Sequence, residues 1–373
     1  MKPNTKITVN ALISFALLLF IAILIFVFSF FSLQIEAYYS NSWYPAIGNT
    51  LRMITRNLPF SIGDIFYVLV AFSLFVGLIR WLITAFRAGL DWQLLGAGLL
   101  FIARKLLWIY IIFKLIWGLN YNRMGIAYQL NLDTVAYQKQ DVVQITRDLM
   151  DSLNACRRQI KDTIIPEKGF DQINREAMRC YQTQSMQYHF LNYRNRAVKQ
   201  SLFSPLGDFI GFTGYFNPFT GEAQVRDDIP RVMVPYITCH EMAHQMGYAS
   251  ESEANFVGYL TATSSKDVYF RYSVYLELFS YAQGAEILLY SKEKDFPAFE
   301  NMLKFNKAYL DSLVRKDRKE IRQFFQKRKN KISPAFNSLY DQYLKLNKQT
   351  AGIDSYDDVI SWLIAYKKKF GKI

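Results

Sequence analysis

Histidine is scarce in this chain, with three in 373 residues. Any imidazole chemistry is therefore confined to His189, His240 and His244. Cysteine is equally rare. Cys156, Cys180 and Cys239 make an odd number, which excludes a fully paired disulfide framework, and their spacing matches no zinc knuckle. One Cys156–Cys180 bridge stays open. There is no Gly-rich phosphate loop, no internal repeat and no low-complexity tract, which sets aside nucleotide-binding and repeat architectures. Charge is absent from residues 7 to 35, and after Asn122 no apolar run reaches 20 residues.

What the chain does have is apolar mass: 51% hydrophobic and 16% aromatic residues, both high for a soluble protein. Ala11 to Phe31 is dense in Leu, Ile and Phe, and about 20 such residues cross a bilayer as a helix. The run is too long for a cleaved signal peptide and has no small-residue cleavage pattern after it. Three transmembrane helices are expected, at about 9–33, 63–84 and 98–119, with a short polar and aromatic loop over 36–61. The third is interrupted by Arg104, Lys105 and Lys114, so a two-span reading stands beside it. The basic residues Lys2, Lys6, Arg80, Arg87, Arg104 and Lys105 outnumber Arg52 and Arg56, which places the N-terminus in the cytoplasm. Three spans then put everything after about residue 122 outside, and two would leave it inside. The net charge of +13 is read as affinity for the lipid bilayer. Much of the excess flanks the spans, and with no recognition motif in the chain a nucleic-acid partner is not expected.

His240 to Glu253 reads H-E-M-A-H-Q-M-G-Y-A-S-E-S-E. Residues four apart on a helix lie about 40° apart around its axis, so His240 and His244 share a face and can bind one Zn²⁺ together. Glu241 sits one step round, where it reaches a water beside the metal as general base. Pro235 suits the first helical position, and Gly247 stands where a helix ends in a left-handed cap. Cys239, Met242 and Met246 form an apolar stripe on the opposite side. A catalytic zinc takes three protein ligands. A second helix opening at Ser250 or Ser252 supplies two carboxylates. Glu253 falls on the stripe of Phe256, Val257 and Leu260 and so points inward, which makes it the expected third ligand, with Glu251 as runner-up. A second oxyanion donor is expected from Tyr215, Tyr236, Tyr248 or His189.

Around this motif, helical periodicity is expected over Val135–Ile160, Phe170–Gln184, 269–292, 297–328, 335–347 and 355–370, with Ser355 as the last N-cap. Phe209–Phe216 and Glu222–Val225 read as short strands about an N-P-F-T-G turn. A strand beside a metal site can hold a substrate backbone, and an ordinary hairpin covering the core is the plain alternative. Residues 315 to 331 hold nine basic and two acidic residues, read as a solvated helix face.

The stretches P-F-T-G-E-A-Q-V at Pro218–Val225, C-H-E-M-A-H-Q-M-G-Y-A at Cys239–Ala249 and E-S-E-A-N-F at Glu251–Phe256 resemble an uncharacterised bacterial domain-of-unknown-function family. Its members are multi-pass membrane proteins grouped with zincin-type metallopeptidases. W-G-L-N-Y-N-R at Trp117–Arg123 and S-Y-D-D-V-I at Ser355–Ile360 resemble it too. The resemblance implies a three-span anchor, a zincin fold and ligands at His240, His244 and a downstream glutamate. A metzincin would place a third histidine at Ser250, and serine departs from that pattern. Glu253-Ala254 is closer to the glutamate helix of gluzincins.

The expected fold is a membrane-anchored, α-rich α+β chain. Residues 1–122 form the anchor, and residues 123–373 a zincin-like domain with a small hairpin or sheet beside the zinc helix. The expected function is a zinc metallopeptidase of a bacterial cytoplasmic membrane, cleaving peptide or protein substrates of the cell envelope from the extracytoplasmic side. The alternative is a non-catalytic, membrane-anchored sensor or scaffold that keeps a zinc site.

Overall fold

The structure, a computed structural model, describes residues 8–88, 92–133, 137–161, 168–329 and 356–373, together with residues 334, 338 and 342. Thr8 caps the first helix, α1 (Val9–Phe28), its hydroxyl accepting from the Ala11 amide at 3.3 Å. The helix has no polar face. Leu18, Ala22 and Ile25 are buried, and Leu12, Leu17, Phe20 and Leu24 remain exposed. A nine-residue π-helix (Ile35–Trp43) leads into α2 (Tyr44–Thr55), where the sequence suggested a loop. Then come α3 (Ile62–Ala88) and α4 (Trp92–Ile116). Among the described residues, Val9–Phe28 and Ile62–Arg87 are long and apolar enough to cross a bilayer. The third expected span corresponds to α4, which carries Arg104, Lys105 and Lys114. The Arg104 guanidinium donates to Ser14 Oγ on α1 at 3.1 Å.

The remainder is mostly helical. A short α5 (Gly125–Gln129) precedes α6 (Lys139–Gln159), whose buried positions Val142, Ile145, Leu149 and Leu153 follow the expected period. Gln138 and Asp141 close a reciprocal cap at its start, so the helix begins inside the range read from the sequence. After α7 (Phe170–Ser185) come three short strands, β1 (Val198–Gln200), β2 (Gly214–Asn217) and β3 (Glu222–Val225). They form one sheet in the order β1-β3-β2, with β1 parallel and β2 antiparallel to β3. β3 matches its expected bounds. The strand expected over Phe209–Phe216 is shorter, because Gly207–Ile210 is helical and Gly211 at φ 86° ends that turn. β1 was not foreseen, since three residues are too few to show a period.

The chain continues with α8 (Val234–Gln245), α9 (Glu251–Ala262), α10 (Val268–Glu293), α11 (Phe296–Tyr309) and α12 (Ser312–Lys327). α11 and α12 divide what periodicity suggested was one helix, because Asp311 caps the second by accepting from Leu313 N at 2.9 Å. α13 (Tyr356–Phe370) is the last helix. The helix expected over 335–347 falls largely outside the described residues, and so does Ser355. Cys156, Cys180 and Cys239 are free, buried thiols.

Two cores result. The larger runs from Ile126 to Tyr366 and centres on α6, α8, α9 and α10. The smaller joins Leu18, Ala22 and Ile25 of α1 to Ile111 of α4, to Tyr39, Tyr44 and Trp117, and to Ala249, just past α8. The apolar helices thus share a core with the segment that carries the histidines.

α3 is attached to the sheet without slack. The buried Glu222 carboxylate of β3 accepts from Ile62 N at 3.2 Å and Gly63 N at 2.5 Å, which satisfies two orphan donors and sets a negative charge at the positive end of the helix. Asp64, fully buried, accepts from Tyr215 Oη of β2 at 2.5 Å and from Leu202 N at 2.7 Å. Gly63 permits the approach. A Cβ there would meet Asn217 Nδ2 at 2.6 Å, Gln224 Nε2 at 2.8 Å and Thr220 Oγ1 at 2.9 Å. Gly63→Ala is therefore expected to destabilise the fold by about 1–3 kcal/mol, read as a lowered melting temperature in thermal denaturation. An unchanged melting temperature would show that this joint is looser than described.

Candidate metal centre

α8 is buried along nearly its whole length, and Pro235 lies in its first turn. It ends at Met246 in a two-bond cap: Gly247 N donates to His244 O at 3.0 Å and Tyr248 N to Ala243 O at 3.2 Å. Gly247 has φ 89°, the left-handed geometry expected of it. The cap turns the chain straight into α9, which opens at Ser250, whose hydroxyl accepts from Glu253 N at 3.2 Å. Two adjacent helices thereby bring their facing ends together.

The histidine rings lie one turn apart, with centroids 4.8 Å apart and planes perpendicular. Both Nε2 atoms face the carboxylate of Glu251, at 3.3 Å from His240 and 3.7 Å from His244. Two ligands on a tetrahedral ion at about 2.0–2.1 Å stand about 3.4 Å apart, so these separations suit one zinc. Among the described residues, His240, His244 and Glu251 form a group whose donor atoms all lie within 4.8 Å of one another. His244 Nδ1 faces Tyr248 O at 2.7 Å, which assigns the proton to Nδ1 and leaves the Nε2 lone pair for a metal. Burial pushes the His244 pKa down to about 4, so the ring stays neutral over the physiological range. His240 is raised, because Glu251 and Glu241 outweigh its burial.

Glu253, the expected third ligand, lies outside this group. Its Oε1 accepts from Ile126 N at 2.9 Å, at the start of α5. Gly125 makes that approach possible, since it has φ 83° and a Cβ there would overlap Glu253 Oε1. α9 has no outward face. From Ser252 to Ala262 every residue is buried, so helical phase cannot rank its two glutamates. The less buried Glu251 is the one beside the imidazoles.

Glu241 is 4% exposed, and its Oε2 has no hydrogen-bond partner. Burial pushes its pKa up to about 8, against the pull of His240. It lies against the first residue of β2: a Cβ on Gly214 would meet Glu241 Oε1 at 2.6 Å. Of the expected oxyanion donors, Tyr215 is bonded to Asp64 and Ser201, Tyr248 donates to Gln129 at 2.8 Å, and His189 is exposed away from the pair. Tyr236 has its ring 6.3 Å from His240 and its hydroxyl on Asn255. Sequence reasoning missed Glu277 and Tyr281 of α10. Burial raises the Glu277 carboxyl, opposed by a hydrogen bond with Tyr281 and by the charge of His240. The one signal was an acid set in the apolar run Tyr275–Phe279.

The centre is held from behind by residues of the first 123. Trp117 Nε1 donates to His244 O at 3.1 Å. Tyr44 Oη and Arg52 Nη1 donate to Gln245 O at 2.9 and 2.7 Å. Arg123 Nη1 donates to Gly247 O at 3.2 Å and pairs with Glu36 at 2.8 Å. A family model described as "Protein of unknown function (DUF3810)" matches residues 39–364, a span that covers these supports as well as the centre. No curated protein and no solved structure matches the chain.

Gly125→Ala is expected to cost about 2 kcal/mol or more, from the left-handed backbone and the overlap with Glu253, measured by chemical denaturation. A neutral result would refute the role given to Glu253.

Proposed function

The chain belongs to the DUF3810 family, a family of unknown function, and we propose from the geometry of its centre that it is a membrane-anchored, zinc-dependent peptidase. The observation that carries this reading is the convergence of two imidazole Nε2 atoms on the Glu251 carboxylate beside a buried, unpartnered oxygen of Glu241. The donor set of two imidazoles and one carboxylate fits zinc. His240, His244 and Glu251 would hold the ion. When bound, zinc supplies Lewis acidity, making water acidic near neutral pH and offsetting charge on a carbonyl oxygen.

Glu241 takes a proton from the attacking water and returns it to the leaving amine. Its carboxylate is buried with one oxygen unpartnered, so it is free to hold that proton between the two transfers. β2 lies at an edge of the sheet and begins at Gly214 against Glu241, so an extended peptide pairing there would lie beside the base. These features support a zincin-like arrangement. They also weigh against a scaffold that keeps an ion for structure alone, since such a site needs no desolvated acid next to its ligands.

The membrane part of the proposal rests on connectivity. Residues 35–61 bond directly to the helical domain through Tyr44, Arg52 and Arg56. Both therefore lie on one side of any bilayer. If α3 leaves that side, α4 must return to it, which favours three crossings over two. The basic-residue count assigns that side to the exterior, where envelope peptides and proteins are the substrate class.

Three outcomes are expected. Purified protein carries one zinc per chain by elemental analysis. Glu251→Gln and His240→Ala lose it, and Glu253→Gln keeps it. Glu241→Gln keeps the metal but loses about 10²–10⁴-fold in cleavage of an envelope-peptide pool. Full activity in that variant would remove Glu241 as the base, and metal with no cleavage in the wild type would leave only the scaffold. Cysteines introduced at Asn41 and Lys294 should react alike with a membrane-impermeant maleimide in whole cells, and one at Arg87 oppositely. Different labelling of the first two would end the three-crossing reading.

A further inference from the structure

The π-helix and α2 wall one side of a cavity of about 450 Å³ that also meets the end of α8 at Gln245, Met246 and Tyr248. Its charged and basic lining consists of Arg52, Arg123, Arg194 and His189, and among the described residues no acidic one lines it. Asn41 and Arg194 are exposed at its rim, so it opens to solvent.

The charges there are not balanced. Arg123 is neutralised by Glu36. Arg52 is 5% exposed and pairs with no carboxylate among the described residues. Its Nε donates to Arg194 O at 3.0 Å, its Nη1 donates to Gln245 O at 2.7 Å, and its face covers the Tyr193 ring. Nη2 donates to no protein atom among the described residues. The Gln245 carbonyl belongs to the last turn of α8, whose negative end offsets about half a unit charge. The other half is uncompensated among the described residues, and Arg194, whose exposed side chain bonds to none of them, lines the cavity beside it. Leaving a guanidinium buried without a counter-charge is costly, so this arrangement calls for an anion. Guanidinium forks match tetrahedral oxyanions with paired N–H donors. The space is about fifteen times a water's ~30 Å³ share, enough for a phosphate bearing a substituent.

We propose that this cavity is a phosphate-binding site, with Arg52 Nη2 and Arg194 as charged donors and His189 at the rim. The site is separate from the metal centre and does not depend on the peptidase reading. One wall comes from the segment between the two apolar helices, so the phosphate is either a lipid headgroup or that of a soluble phosphorylated molecule.

Full-length protein in neutral detergent, titrated with inorganic phosphate by calorimetry, is expected to bind one equivalent saturably and to melt at a higher temperature. Arg194→Glu, at an exposed position with no protein partner, should weaken binding at least tenfold without changing the ligand-free melting temperature. Arg52→Lys keeps the charge but loses the fork and should also weaken it. Nanodiscs then separate the sources. If phosphatidylglycerol abolishes phosphate binding and phosphatidylcholine does not, the occupant is a headgroup. Equal binding in both assigns a soluble phosphate. Stabilisation by phosphatidylglycerol alone, lost in Arg194→Glu, also supports the headgroup. Binding undiminished in both variants, or no response to either phosphate or phosphatidylglycerol, overturns the proposal.

Discussion

A helix that ends in a protein interior must find donors for its last carbonyls, and in α8 those donors come from far away in the chain. Trp117 bonds His244 O, Tyr44 and Arg52 bond Gln245 O, and Arg123 bonds Gly247 O. All four side chains belong to the first third of the sequence. The carbonyls they hold belong to the turn that carries the second histidine. The position of His244 relative to Glu251 therefore depends on residues that composition alone assigns to an anchor. The smaller core, which joins Leu18 and Ile111 to Ala249, follows the same path with apolar contacts.

Next to these bonds lies a polar knot that accounts for the second glutamate of α9. Glu36 accepts from Met124 N at 3.1 Å and Gly125 N at 3.3 Å, and Glu253 accepts from Ile126 N at 2.9 Å. Two carboxylates thus occupy the positive end of the short α5, and Arg123 lies between the acids and the Tyr248 ring. Burial pushes the Glu36 carboxyl up, but Arg123 and the Gly125 amide hold it below the usual carboxylate range. For Glu253 burial prevails and the carboxyl is raised. A buried acid that makes such bonds is satisfied without a metal.

What could be read from the sequence was local. The four-residue histidine spacing, the glycine after Met246, the serine before Glu251, and the short strand Glu222–Val225 after its N-P-F-T-G turn each depend on near neighbours in the chain, and each reappears in the structure. The third carboxylate was not legible, because a helix buried on every side has no phase to read. Nor were residues 36–61. Their polar and aromatic composition resembles a loop, yet Tyr44 and Arg52 are held by a carbonyl some 200 positions further on. Glu222 presented the same difficulty, since its partners are the amides of a helix 160 residues earlier.

The bond from Glu222 to Ile62 and Gly63 has a geometric consequence. The apolar helix starts at the residue where the sheet ends its grip, so no free chain lies between them to act as a tether. Any displacement of the first turn of α3 is passed directly to β3 and, through the bond between Asp64 and Tyr215, to β2, the strand that begins against Glu241.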